Sequence, residues 1–332
     1  MILVTGGTGL IGSHLLAQFA QKGKMIRVLK RSSSDTSIVS KIFHHYNIDN
    51  DKLNLIEWID GGVEDFQSLK QALADIDEVY HCAALVSFSS SDLQQMLDIN
   101  VQGTANMVDA CLEANVSKFC HVSSIASLGS PVDSGMVDEN SAWGKTKGKS
   151  GYAISKFLSE MEVWRGMEQG LNAVIVNPSV IIGPGKWDRG SGMIFGTISK
   201  GFPFFTRGVS GYVDVRDVVD AMIIAMEREQ WGKRFLLNGQ NVSHKEVFEL
   251  IAVAMGKKPP SIEVKPWMSN LAWPLAWVAS RFTSKATALT RDTARSGHNK
   301  TYYSSSFAEE TLGIKFRPIS DAVSNTVTAG VL

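Results

Sequence analysis

The run Val4-Thr5-Gly6-Gly7-Thr8-Gly9-Leu10-Ile11-Gly12 constrains this chain more than any other stretch. Ile2, Leu3 and Val4 read as a short apolar strand that turns at once into a helix beginning near Ile11. Gly6 permits the tight turn, Gly9 lets the backbone approach a pyrophosphate, and Gly12 lets the helix pack closely on the strand. Free N–H groups at the positive end of the helix then face the phosphates. Leu15, Leu16 and Phe19 give that helix an apolar face, and Met25–Leu29 supplies a second strand. The glycines therefore sit inside a βαβ unit, where such a run has a ligand-binding meaning. Gly6, Thr8, Gly9, Leu10, Ile11 and Gly12 are its candidate nucleotide contacts.

The same rhythm continues. Apolar runs at Leu53–Ile59, Asp77–Cys82, Lys118–Val122 and Ala173–Asn177 read as strands, and 67–74, 93–114 and 151–168 read as helices. Alternation of this kind predicts an α/β fold: a Rossmann-type, doubly wound parallel sheet with helices on both faces. After Pro178 the chain changes character, with many glycines and aromatics between Ile182 and Gly211. The strand-helix order returns at 212–239. Residues 1–178, rejoined by 212–239, are expected to form the dinucleotide-binding domain. Residues 179–211 and 240–332 are expected to form a smaller, mostly C-terminal substrate-binding lobe.

Composition removes several alternatives. Lys plus Arg and Asp plus Glu both number 33, so no charge excess argues for nucleic acid. No window of ~18 uninterrupted apolar residues suggests an integral membrane segment. A first strand at Ile2 leaves no room for a targeting peptide, and Cys82, Cys111 and Cys120 lack paired spacing. Reduced thiols and a cytoplasmic location are the expectation. His81-Cys82 has no partners at metal-ligand spacing, so no metal is expected, and both are assigned to packing beside the cofactor. His121 is assigned to packing as well, and His44-His45-Tyr46 to a polar face in an irregular connection.

Tyr152 and Lys156 stand four residues apart, on one face of a helix. A phenol titrates near 10, and an adjacent ammonium lowers that value and suits it to proton transfer. His121-Val122-Ser123-Ser124-Ile125-Ala126-Ser127-Leu128-Gly129 lies at the carboxyl end of the fifth strand, where ligands bind in such sheets. Its hydroxyls are expected to face the cleft.

Gly6-x-x-Gly9-x-x-Gly12, Asp98-x-Asn100-Val101-x-Gly103-Thr104, Val122-Ser123-Ser124 and Tyr152-x-x-x-Lys156 occur in this order. Together they resemble the extended branch of the short-chain dehydrogenase/reductase superfamily. The resemblance implies hydride transfer with a nicotinamide cofactor. Tyr152 is then the general acid/base, Ser124 the donor to the substrate oxygen (Ser123 the fallback), and Lys156 the ligand of the nicotinamide ribose. Asn100 steadies the neighbouring backbone and the proton relay. The same resemblance adds Val63, Ala83, Ala84, Ser123, Pro178 and Val180 to the cofactor contacts, with Tyr152 and Lys156.

The second strand ends Leu29-Lys30-Arg31-Ser32, with cations where NAD-specific members carry an acid. Lys30 and Arg31 therefore favour the 2′-phosphate of NADP, with NAD possible. Gly61-Gly62-Val63 lacks the usual Asp, which leaves adenine to backbone or to Asp65.

Asn177-Pro178-Ser179 and Tyr212-Val213-Asp214-Val215-Arg216-Asp217-Val218 resemble the dihydroflavonol reductase-like branch, while the basic insert of sugar-nucleotide enzymes is sparse. An NADP(H)-dependent reductase of a small ketone or aldehyde is the leading expectation. The alternative is a sugar-nucleotide epimerase or dehydratase with tightly bound NAD. Trp267, Met268, Leu271, Trp273, Leu275, Trp277 and Phe282 cluster around Pro266 and Pro274. They allow an apolar pocket wall, ordinary lobe packing or an exposed patch. A homodimer through the helices near 93–114 and 152–168 is a further possibility of the resemblance.

Overall fold

The computed structural model describes residues 1–131, 135–268 and 296–332. Seven parallel strands form the main sheet: β1 (Ile2–Thr5), β2 (Ile26–Lys30), β3 (Ile56–Asp60), β4 (Glu78–His81), β5 (Lys118–Val122), β6 (Ala173–Pro178) and β10 (Lys233–Leu237). Their spatial order is β10-β6-β5-β4-β1-β2-β3, so the winding reverses between β1 and β4. This is the doubly wound α/β fold, and its switch point lies where a crevice opens at the carboxyl ends of the strands.

Side chains alternate across the sheet and build two cores. Val4, Val28, Tyr80, Cys120 and Val176 pack under α1 (Leu10–Gln21), α2 (Ser37–His45) and α8 (Val215–Glu227). Leu3, Leu29, Val79, Phe119 and Ile175 pack under α3 (Phe66–Ala72), α5 (Gly103–Glu113) and α6 (Gly151–Glu168). Strands covered on both faces need the near-continuous apolar runs that the sequence shows.

A third core belongs to the smaller lobe. β7 (Val180–Ile182), β9 (Val209–Asp214) and β11 (Gln240–Ser243) form a mixed sheet. Ile182, Tyr212 and Val242 on that sheet pack with Phe195 and Ile198 of α7 (Gly192–Ser199) and Val247 and Ile251 of α9 (His244–Ala254). Ile319 and Val323 of the last helix, Ile319–Ala329, complete it. The helix Ser306–Leu312 instead places Ala308 and Leu312 in the core beneath α8. Of the segment 212–239, α8 and β10 lie on the large sheet and β9 in the small one. A two-stranded ribbon, β8 (Phe204–Phe205) with β12 (Ile262–Glu263), lies beside α9.

Three local expectations are corrected. Residues 50–55 form a 3₁₀ turn, so the third strand starts at Ile56 rather than Leu53. Leu53 and Leu55 still pack against the core, which is why their apolar pattern resembled strand. The helix expected over 93–114 is α4 (Leu93–Met96), a π turn at Leu97–Gln102, then α5. His44 and His45 end a helix, α2, and Tyr46 packs edge-on against His14 at 5.4 Å.

α5 and α6 approach closely because Gly166 lacks a side chain. A Cβ there would stand 2.5 Å from Val108 Cγ1. Gly166→Ala should therefore lower stability by about 1–3 kcal/mol, measured by urea unfolding. An unchanged midpoint would show that the two helices can separate without cost.

Candidate active site

β1 delivers the chain to Gly6, whose φ of +68° makes the turn. A Cβ at Gly6 would stand 2.7 Å from Ala83 N, so this turn nests against the end of β4. At Gly12 a Cβ would meet Gly6 O and stand 2.7 Å from Gly7 Cα. These contacts press α1 onto β1 with its N-terminus aimed at the switch point. Gly9 caps α1 without any side-chain bond, and no acid sits in the first turn. The early N–H groups of α1 have no partner within the helix. Gly9 itself is exposed, with Gly6 O at 3.1 Å the single neighbour of a Cβ built there. An uncapped positive helix end beneath an open glycine fits a pyrophosphate.

Beside this turn the end of β4 is held by polar bonds. Thr5 Oγ1 accepts from Ala83 N at 3.1 Å and pairs with His81 Nδ1 at 2.9 Å, and His81 Nε2 pairs with Thr104 Oγ1 at 3.1 Å. Burial lowers His81 to about 3, so its ring is neutral and structural, packed beside the crevice. Ala84 follows, exposed. Asn100, inside the π turn, is fully engaged: Oδ1 accepts from Leu85 N at 2.7 Å, and Nδ2 donates to Leu85 O at 2.9 Å and Ser155 Oγ at 3.0 Å. The π turn thus presents Asn100 to the backbone after β4 and to α6, a recurrent use of this irregularity. Val63 is buried against Gly103, and Asp65 caps α3 through Gln67 N at 3.1 Å. Asp65 is therefore already used locally.

Ser124, Tyr152 and Lys156 come together at the carboxyl end of β5. The Ser124 hydroxyl, which accepts from Ala126 N at 3.1 Å, acts on the Tyr152 phenol. Lys156 is 2% exposed and donates from Nζ to Val122 O at 2.8 Å. Burial pushes the Tyr152 phenol above its ordinary 10, with the Ser124 hydroxyl acting in the opposite direction. The net direction is upward, opposite to the lowering expected from Lys156, and burial is its largest cause. Burial also lowers Lys156, to about 8, against the opposing field of Glu160. Phe88 meets Tyr152 edge-on at 6.1 Å, and Phe88 and Val86, two residues before it in the chain, are exposed. A protonated phenol, a hydroxyl and an apolar edge converge on one point. Such a group can protonate an oxygen placed between Tyr152 and Ser124.

Ser123 does not face the cleft. Its hydroxyl donates to Glu160 Oε2 at 2.7 Å, in a buried network with Ser127, Asn177 and Arg234. Its direct partners are Ser127 in the 3₁₀ turn after β5 and Glu160 on α6, one turn beyond Lys156. Pro178 ends β6 in the core, and Val180 lies half-buried in β7. His121 is buried and stacked on His81 at 5.5 Å, as packing.

At the adenosine end, Lys30 is tied to Asp60, its cross-strand neighbour on β3, whereas Arg31 is exposed. Lys186 pairs with Asp35 at 2.6 Å, joining the segment after β2 to the segment after β7. Trp267 is exposed, and the rest of the tryptophan cluster from 269 onward lies outside the described residues. Among the described residues there is no group of His, Cys, Asp and Glu that could hold a metal ion. Nor is any helix among them long and apolar enough to cross a membrane.

Because Lys156 loses its charge as pH rises through about 8 while Tyr152 stays protonated, proton donation should hold below that pH and decline above it. The measurement is the alkaline limb of kcat/KM for carbonyl reduction. A profile flat through pH about 9 would contradict a role for the Lys156 charge.

Residues 2–237 match the model of the NAD dependent epimerase/dehydratase family. A putative dihydroflavonol 4-reductase of Synechocystis sp. is 27% identical over 98% of this chain and 92% of its own. Sterol demethylase protein B of Methylococcus capsulatus is 28% identical over 80% and 77%. The solved structure of gox2253 superposes with a TM-score of 0.80 at 29% identity, covering 99% of this chain and 97% of that one.

Proposed function

This chain belongs to the NAD-dependent epimerase/dehydratase family, and from that premise we propose that it is an NADP(H)-dependent reductase of a ketone or aldehyde. The observation that carries this reading is the meeting of Tyr152 and Lys156 on α6 with Ser124 at the end of β5, where Lys156 Nζ bonds Val122 O, and the uncapped end of α1 across the crevice. Gly6, Thr8, Gly9, Leu10, Ile11 and Gly12 would hold the pyrophosphate. Val63, Ala83, Ala84, Pro178 and Val180 would line the rest of the dinucleotide, and Lys156 would reach its ribose. When bound, the reduced nicotinamide supplies the hydride.

The protein's own part is positioning and protonation. Tyr152 Oη gives its proton to the carbonyl oxygen, and Ser124 Oγ holds that oxygen. A phenol held above its usual value is protonated at neutral pH and so can serve as the acid in carbonyl reduction. The Lys156 ammonium stabilises the phenolate left behind. Asn100 keeps the backbone at Leu85 in place beside the reacting group. The exposed Val86 and Phe88 favour an apolar or ring-bearing substrate, in keeping with the reductase and sterol names of the two relatives. A homodimer through α5 and α6 would cover Leu158 and Met161, both exposed on α6.

Tyr152→Phe should lower kcat by about 10²–10⁴ with NADPH binding little changed. Full turnover by that variant would exclude the assignment. Assays should follow NADPH and NADH consumption over a panel of ketones and aldehydes. Retained NAD without net turnover would instead indicate the epimerase chemistry.

Among the described residues Arg31 has no ion-pair partner and is the better candidate for a 2′-phosphate, since Asp60 already holds Lys30. Arg31→Ala should raise KM for NADPH about tenfold to a hundredfold and leave NADH unchanged. Lys30→Ala should change the ratio less. Equal losses with both cofactors would point away from NADP.

A further inference from the structure

Glu160 is a carboxylate that the catalytic reading does not use. It lies one helical turn beyond Lys156 on α6, and both side chains are 2% exposed. Oε2 accepts from Ser123 Oγ at 2.7 Å and Asn177 Nδ2 at 2.8 Å, with Ser127 Oγ also at 2.7 Å. Oε1 accepts from Arg234 Nη1 at 3.0 Å, and Trp164 Nε1 lies at 3.4 Å. Its donors come from the end of β5, from β6, from β10 and from its own helix. Burying a charge without partners is prohibitive, so a carboxylate met by this many donors holds all of them in register.

The donors in turn grip the Ser124 backbone. Ser127 Oγ lies 2.7 Å from Ser124 O, and Asn177 Nδ2 lies 3.3 Å from the same oxygen. Arg234 also donates to Glu139 O, and Glu139 Oε1 accepts from Leu236 N at 2.7 Å. The segment after Ser124 is thereby fastened to β10 through the same guanidinium.

We propose that Glu160 is a positioning residue that holds the Ser124 segment against the Tyr152/Lys156 helix and sets the field felt by the Lys156 ammonium. The proposal rests on the catalytic reading of Tyr152, Ser124 and Lys156 given above. The groups facing Lys156 support it. His81 from β4 and His121 from β5 are held neutral by burial, and Cys82, pushed up to about 12, remains a thiol. Of these neighbours Glu160 is the one in an ion pair, with Arg234 on β10.

The test compares the wild type with Glu160→Gln, Glu160→Asp and Arg234→Gln. The first readout needs no substrate: the ¹³Cε signal of Lys156 in lysine-labelled protein, assigned by Lys156→Met, is titrated by NMR. Glu160→Gln should move the Lys156 midpoint down by about one pH unit, and Arg234→Gln should move it up. Glu160→Asp should restore most of the wild-type value. The alkaline limb of kcat should follow in the same directions, with a loss of about tenfold in kcat for Glu160→Gln. An unmoved Lys156 midpoint in both Glu160→Gln and Arg234→Gln overturns the proposal. So does a lower melting temperature with an unchanged pH profile, which marks a merely structural role. Should Glu160→Gln fail to fold, the upward shift in Arg234→Gln decides alone. A shifted midpoint combined with full turnover by Tyr152→Phe leaves the positioning intact and removes the catalytic reading instead.

Discussion

The contact between the Gly12 backbone and the Gly6 turn underlies the rest of the structure. No side chain fits between them, so α1 lies directly on the β1 turn and cannot slide along it. That fixes the uncapped positive end of α1 over the reversal between β1 and β4. The neighbouring strand ends inherit their positions from this seating, because parallel register carries it outward through β4 and β5. Packed interiors transmit such constraints with little loss.

On the far side of the crevice the chain uses a different device. Here polar bonds, not glycine contacts, set the geometry. Asn100 holds the backbone after β4, and Glu160 gathers β5, β6 and β10 around one carboxylate. Satisfied networks of this kind specify a single arrangement, since any displacement strands a buried polar group. The reacting groups thus sit between a wall fixed by close approach and a wall fixed by hydrogen bonding. Tyr152 and Ser124 lie where the two meet.

Much of this was legible in the sequence, and the residues show why. Lys118–Val122 and Gly151–Glu168 are read with their true bounds because strand and helix periods are local properties. The glycine run is legible for the same reason. What failed was non-local. Nothing near Lys30 announces that Asp60, thirty residues on, stands opposite it across the β2–β3 register. Nothing near Ser123 announces that its hydroxyl turns toward Glu160. The phenol's shift also depended on burial that three-dimensional packing creates, and that packing reversed the direction expected from Lys156. Leu53 and Leu55 misled because an apolar 3₁₀ turn against a core has the composition of a strand.

The order of β10 in the sheet has a consequence for how the chain can be assembled. β10 pairs with β6 along its whole length, yet the lobe elements β7, α7 and β9 come between them in sequence. A ribosome releases the other six strands first, and β6 waits as a bare edge while the lobe emerges. Unpaired edges of apolar strands invite association with other chains. Closing that edge also carries the chain back out to β11 and α9, so the smaller lobe is anchored to the large sheet at both ends of an excursion. Such a double tether resists the free swinging that a single linker would allow.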